Sequence, residues 1–493
     1  MPAPSSPYPA SPPLASSAGP GDGLERASSS RCGVDAGHVQ AFLEDVAAAG
    51  LNLHSLMVYR NGAVAAEWFR WPYGPRRPRV MHSVAKSFTA CAIGMLVDEG
   101  RLSLSDRVVD YFPEQVTAPV DANLAAMTVE HLLTMRCGHG EETSGSIWRG
   151  ISTSWTAEFF KIPVVHRPGG AFLYTSAASY MLSAIVTKVT GETLHAFLKP
   201  RLFQPLGIAN ETWDVGPDGV NPGGNGLTCT TADLLKLTIL HVQKGVWQGR
   251  RLLSEEWVAR ATRSYGDDYG YQWWTGEHGT FYAVGQFVQM GIGFPGQDAA
   301  IAVTAAMDTS KLLLPHVYRH FPAAFVEGGA GPEVDARLAE AIAAMSRPEP
   351  IVSLAEPRPE CADRQVYSVC DNPLGVTRLE LDFAVGRCAL VVTDAAGPHA
   401  IEVGVDRWIE GETGIPGADL HHGYRLDPAR VVAGARWLDP DTLEMNWIFA
   451  ETAFRDAVIC HFTPGRLSLQ RSVNVNTGAM AHPPLTGHLV RDE

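Results

Sequence analysis

Met81-His82-Ser83-Val84-Ala85-Lys86-Ser87-Phe88 opens an apolar run that continues through Ala90, Cys91, Ala92, Ile93, Met95, Leu96 and Val97. A segment apolar on nearly every side reads as a buried helix. Side chains three residues apart share one helix face, so the spacing predicts an alcohol at Ser83 beside an amine at Lys86. A neighbouring base turns a weakly reactive serine into a nucleophile. Ser and Lys at this spacing ordinarily mark a solvated face, but the apolar surroundings argue against that here. A lysine in the first helical turn also opposes the helix dipole, so its presence calls for a chemical reason.

Around this stretch lies a chain of 493 residues, long enough for two or three domains. Its 45% hydrophobic and 19% charged content reads as soluble and globular, and its net charge of −14 argues against nucleic acid or an anionic membrane as partner. Residues 1–34 are rich in Pro, Ser, Ala and Gly and read as a disordered tail without the basic start and apolar middle of an export signal. No segment is long enough to span a membrane. The eight cysteines form no ligand-spaced pair. Reduced, mostly buried thiols in a cytoplasmic protein are expected. Cys137-Gly138-His139-Gly140-Glu141-Glu142 has no second histidine at ligand spacing and reads as a polar loop over a cleft, with no metal or other cofactor expected.

Residues 36–49 predict an amphipathic helix. Leu56-Met57-Val58-Tyr59-Arg60, Asn61-Gly62 and residues 63–69 predict a hairpin, because Asn-Gly between apolar runs suits a two-residue turn. Helices are expected at 128–135, at 177–198, after Thr230 with its capping partner Asp233, after Ser254, and at 332–345. Strands near 281–293 and 299–306 bracket Pro295-Gly296-Gln297-Asp298. The order of hairpin, helical middle and hairpin implies an α/β (α+β) domain over residues 35–345. Its antiparallel sheet is flanked by helices and carries an inserted helical subdomain, with a cleft beside Ser83. Prolines mark 346–361 as a linker, and short alternating runs such as Thr377-Arg378-Leu379-Glu380-Leu381-Asp382-Phe383 mark 362–493 as an all-β barrel or sandwich. Capping the cleft, binding a partner and forming a homo-oligomer are the roles open to that domain. His421-His422 reads as surface. Tyr269, Tyr271, Trp273 and Trp274 read equally well as cleft lining or as core packing against the sheet.

Tyr174 follows Pro168-Gly169-Gly170 at the mouth of the 177–198 helix, where a phenol near a cation could serve as a base. With Ser83-Val84-Ala85-Lys86 and Tyr174-Thr175-Ser176 in order, the chain resembles the serine β-lactamase and penicillin-binding-protein-like hydrolases, specifically the class C-related esterases and peptidases. Residues 128–134, 202–208 and 269–274 strengthen the likeness, which covers about residues 36–325. Two positions depart from the family pattern. Ser176 stands where the family has Asn, and Gly285-Gln286-Phe287-Val288-Gln289 stands where Lys-Thr-Gly or His-x-Gly is usual.

The resemblance implies a serine hydrolase that forms an acyl-enzyme on Ser83 with a small ester, amide or peptide substrate. Lys86 and Tyr174 would share the proton of Ser83. The backbone N–H groups of Ser83 and Gln289 would bind the oxyanion, with Ser176, Gly285 and Gln286 beside the substrate. Acyl transfer from the same intermediate is an alternative, and so is a non-catalytic binding module on the same fold. A missing cation in the third element disfavours carboxylate-bearing substrates. A missing export signal disfavours a true β-lactamase.

Overall fold

The computed structural model describes residues 21–116, 120–358, 364–425 and 428–490. Among these the chain divides into two units, one holding the residues up to Arg70 with Gly74–Ser346, the other holding Trp71–Tyr73 with Arg347–Glu493. Residues 1–20 of the expected tail lie outside the described residues. The rest of that stretch is packed: the N–H of Ala27 donates to the Val64 carbonyl at 3.1 Å, and Cys32 and Val34 are buried.

The first unit is built on a six-stranded antiparallel sheet. Its strands are β1 (Leu53–Arg60), β2 (Ala63–Phe69), β3 (Trp274–Thr275), β4 (Phe281–Gly285), β5 (Gln289–Phe294) and β6 (Ala299–Ala305), in spatial order β2-β1-β6-β5-β4-β3. Asn61 and Gly62 turn the β1–β2 hairpin with φ of 49° and 91°, the left-handed pair that a two-residue hairpin demands. The central strands β1, β5 and β6 are buried along almost their whole length because both faces are covered. Successive side chains point to opposite faces. Met57, Tyr59, Ala300 and Ala302 therefore enter the core shared with the helices α2 (Ala85–Asp98), α3 (Ser176–Thr190) and α4 (Thr231–Val242). Leu56, Val58, Ile301 and Val303 enter the opposite core with the helix α1 (Ala36–Ala48), Leu314–His320 and Leu338 of the helix α5 (Pro332–Met345).

Local signals account for the helix starts. The Asp35 carboxylate accepts from Gly37 N–H at 2.8 Å to begin α1, and Thr230 and Asp233 form a reciprocal capping box on α4. Two expected elements of this unit need correction. Residues 177–198 form two helices, because Gly191 takes a left-handed φ of 76° and ends α3 before a new start capped by Thr193. The single strand expected over 281–293 is the hairpin of β4 and β5. Its turn, residues 286–288, contains no glycine, proline or asparagine to announce it.

The second unit is one ten-stranded sheet. Its strands are β7 (Gln365–Val369), β8 (Arg378–Ala384), β9 (Arg387–Asp394), β10 (Gly397–Val405), β11 (Trp408–Thr413), β12 (Ala429–Asp439), β13 (Thr442–Phe449), β14 (Arg455–Thr463), β15 (Arg466–Val473) and β16 (Leu485–Leu489). The sheet runs β10-β9-β8-β7-β16-β15-β14-β13-β12-β11 and closes on itself through a parallel pairing of β10 with β12 at Gly404↔Gly434 and Val405↔Ala435. Alternation fills the interior with Leu379 and Leu381, Cys388 and Leu390, Leu443 and Met445, and Val458 and Cys460. His421, expected at the surface, is buried. Its Nε2 lies 2.9 Å from the carboxylate of buried Asp456, which also meets the Arg471 guanidinium at 2.6 Å. A buried carboxylate persists only with such partners.

Candidate active site

Ser83 sits in a single 3-10 turn, His82–Val84, immediately before α2. The turn leaves Ser83 partly exposed while Lys86, in the first turn of α2, is only 1% exposed beneath it. The Lys86 Nζ lies 3.2 Å from Ser83 Oγ, 3.0 Å from Ser176 Oγ and 3.0 Å from the Gly224 carbonyl. Three polar neighbours for one sealed ammonium do not replace water, so burial pulls its pKa from 10.5 to about 7, against a smaller upward pull from Glu142. A lysine with that pKa is largely a neutral amine in weakly alkaline solution.

Tyr174 arrives from the segment ahead of α3. Its hydroxyl is hydrogen-bonded to Ser83, and its ring lies 5.0 Å from the Lys86 ammonium. Burial raises the phenol to about 12, with the Ser83 hydrogen bond opposing and Glu142 adding to the rise. Tyr174 is held by stacking on Trp274 at 5.5 Å and an edge contact with Tyr269 at 5.9 Å. Of the four aromatics weighed evenly, Trp274 lines the cleft, while Tyr269, Tyr271 and Trp273 are buried in the core.

The far wall of the cleft is the β4–β5 turn. A cleft of about 160 Å³ is lined by Ser83 and Tyr174, by Gly285, Gln286, Phe287 and Val288, and by Asp308, Thr309 and Ser310. A Cβ on Gly285 would come within 2.1 Å of the Met81 carbonyl, so only glycine lets β4 lie this close to the turn that carries Ser83. Backbone strain collects here: His82, Phe287 and Val288 have φ of 49°, 61° and 69°. A β-branched residue in the left-handed region costs on the order of 1–3 kcal/mol, and such residues cluster at functional sites. The His82 and Phe287 rings pack edge to face at 5.5 Å across the two turns.

Of the seven residues singled out from the sequence, the structure brings Ser83, Lys86, Tyr174, Ser176, Gly285 and Gln286 together. Gln289 stands apart. It is fully buried, its side-chain amide donates to the Ala305 carbonyl at 3.0 Å, and it pairs with Gly285 in the ladder. Gly224 was missed, although Asn221-Pro222-Gly223-Gly224-Asn225-Gly226 is a dense turn signal. A Cβ at Gly224 would sit 3.0 Å from Lys86 Nζ. His139, in the loop expected over the cleft, is buried against Phe159 at 5.3 Å, and burial lowers its pKa to about 4.

The model of the Beta-lactamase family matches residues 36–313, more than half of the chain. A 6-aminohexanoate-dimer hydrolase of Paenarthrobacter ureafaciens is 26% identical in an alignment 263 residues long that covers 47% of this chain and 67% of that protein. Esterase EstB of Burkholderia gladioli is 31% identical in an alignment 141 residues long that covers 26% of this chain and 36% of that protein. The matched stretches thus span about a third to two thirds of these relatives' own length. A solved structure from Bacillus anthracis, provisionally named a 6-aminohexanoate-dimer hydrolase, aligns with a TM-score of 0.50 at 18% identity, over 60% of this chain and 82% of that one. It shares the fold. The buried amine under an accessible serine and the family match over 36–313 lead to one conclusion: this chain belongs to the Beta-lactamase family, as a hydrolase of its serine type.

Proposed function

We propose that the chain hydrolyses small esters or amides through an acyl-enzyme on Ser83. The observation that carries this reading is the sealed Lys86 amine, 3.2 Å from Ser83 Oγ, with its pKa near 7. As a neutral amine, Lys86 donates two hydrogens to Ser176 and the Gly224 carbonyl and turns its lone pair to the Ser83 hydroxyl. Ser83 Oγ attacks the carbonyl carbon as its proton passes to Lys86 Nζ. Tyr174, at about 12, remains a phenol. It passes its proton to the departing alcohol or amine and is restored to a phenol by the proton that Lys86 took from Ser83. Water then attacks the acyl carbonyl as it gives a proton to Lys86, the bond to Ser83 Oγ breaks to release the acid, and Lys86 returns that proton to Ser83.

The oxyanion would be bound by the backbone N–H groups of Ser83 and Gln286. Gln286 lines the cleft with Ser83, whereas Gln289 is sealed in the ladder. Each donor of this kind contributes about 3 kcal/mol to the transition state. The esterase and the 6-aminohexanoate-dimer hydrolase among the relatives support ester and amide substrates. Asp308 is the one charged residue among the described residues lining the cleft, which supports neutral or cationic substrates over carboxylates. An acyl acceptor other than water would make the same intermediate a transferase.

Labelling with a fluorophosphonate probe tests the reading. The wild type is expected to label and to turn over a p-nitrophenyl ester, and Ser83→Ala is expected to do neither. If the wild type fails at both, the chain is a binding module. If Ser83→Ala still labels, the nucleophile lies elsewhere.

A further inference from the structure

The ten-stranded barrel holds a cavity of about 240 Å³ that the hydrolase chemistry does not use. Inward-facing Leu390 and Val392 of β9, Trp447 of β13 and Leu469 of β15 line it, joined by Val376 and Leu485. Every one of these is apolar. Protein interiors are packed densely enough that voids much larger than a water molecule are few, and this one has the mostly apolar lining of a small-molecule site, with room for a small ligand. The rim residues Asp419 and Pro483 are exposed, so the cavity opens outward.

The charged side chains in its wall already have partners within the unit. Arg471, the inward residue two places after Leu469, lies on the Asp456 carboxylate at 2.6 Å, donates to the Pro416 carbonyl, and places its guanidinium 5.2 Å from the Trp447 ring. The Asp456 carboxylate takes His421 as a second partner at 2.9 Å. At the rim, His482 is 2.8 Å from Asp419, and His399 is 3.1 Å from Asp394. An ionic ligand would therefore have to displace a partner that each of these groups already has.

We propose that this barrel is a binding site for an uncharged small molecule with a largely hydrocarbon or aromatic body, the Trp447 face being its stacking wall. N-phenyl-1-naphthylamine, whose fluorescence rises in apolar surroundings, is the probe, titrated into the full-length protein. Saturable one-to-one binding is expected. Val392→Trp, which fills the cavity, should weaken it at least tenfold while p-nitrophenyl ester turnover stays at the wild-type level. Val376→Phe lies outside the strands and should weaken binding in the same direction, which keeps the test open if Val392→Trp does not fold. The sulfonated analogue 1-anilinonaphthalene-8-sulfonate should bind at least tenfold more weakly than the neutral probe. Absence of saturable binding, binding that survives both substitutions in folded protein, or tighter binding of the sulfonate would overturn the proposal.

Discussion

At Lys86 one side chain carries both the chemistry and a thermodynamic burden. Its amine must be deprotonated to accept the Ser83 proton, so kcat/KM for a neutral ester should rise with pH through about 7. A plateau should follow until Tyr174 ionises near 12. A profile flat from pH 5 to 9 would remove Lys86 as the base. The same depressed pKa acts on stability. The folded state holds this proton less tightly than the unfolded chain, so wild-type stability falls as pH drops from 10.5 toward about 7 and levels off below. Lys86→Met lacks this penalty. We expect it to be inactive and, at pH 6, more stable than wild type by about 1–4 kcal/mol, with the gap closing above pH 10. Urea unfolding at several pH values measures the difference.

At the scale of elements, the site depends on how closely a strand and a turn can approach. Gly285 on β4 faces the Met81 carbonyl, and the turn of residues 286–288 follows at once. Gly285→Ala should push β4 away from the turn carrying Ser83. A displacement of about 1 Å at a reacting centre can cost roughly 100-fold in rate, so we expect a loss of that order in kcat with the protein still folded by circular dichroism. A second close approach lies deeper: a Cβ on Gly94 would meet the Trp257 ring at 2.4 Å. Alanine is the better helix former by about 1 kcal/mol, yet Gly94→Ala should destabilise by about 1–3 kcal/mol through overpacking of α2. A stabilised variant in a thermal melt would contradict this.

For the whole molecule, the two apolar cores about the six-stranded sheet and all of Ser83, Lys86, Tyr174 and Gly285 lie before residue 347. A protein ending at Ser346 should therefore still label at Ser83 with the fluorophosphonate probe, and loss of labelling would show that the catalytic unit needs the barrel. Charge belongs to this scale as well. With a net charge of −14 and Asp308 in the cleft, a carboxylate-bearing substrate is disfavoured twice. Turnover of a chromogenic cephalosporin should fall far below that of a p-nitrophenyl ester, and comparable rates would refute the charge argument.

The sequence alone determined the elements that local chemistry dictates. The Asn61-Gly62 hairpin, the Thr230–Asp233 cap and the apolar helix behind Ser83 each follow from turn geometry, capping or periodicity within a few residues. Pairing of Ser83 with Lys86 was legible for the same reason, since one helical turn joins them. Only the tertiary structure decided that Gly224 supplies a carbonyl to Lys86, that Gln286 rather than Gln289 reaches the cleft, and that His421 is buried on Asp456. Those relations join residues far apart in the chain. The turn at residues 286–288 was hidden for a further reason: Phe287 and Val288 occupy left-handed backbone that their own side chains disfavour, held there by the packed surroundings.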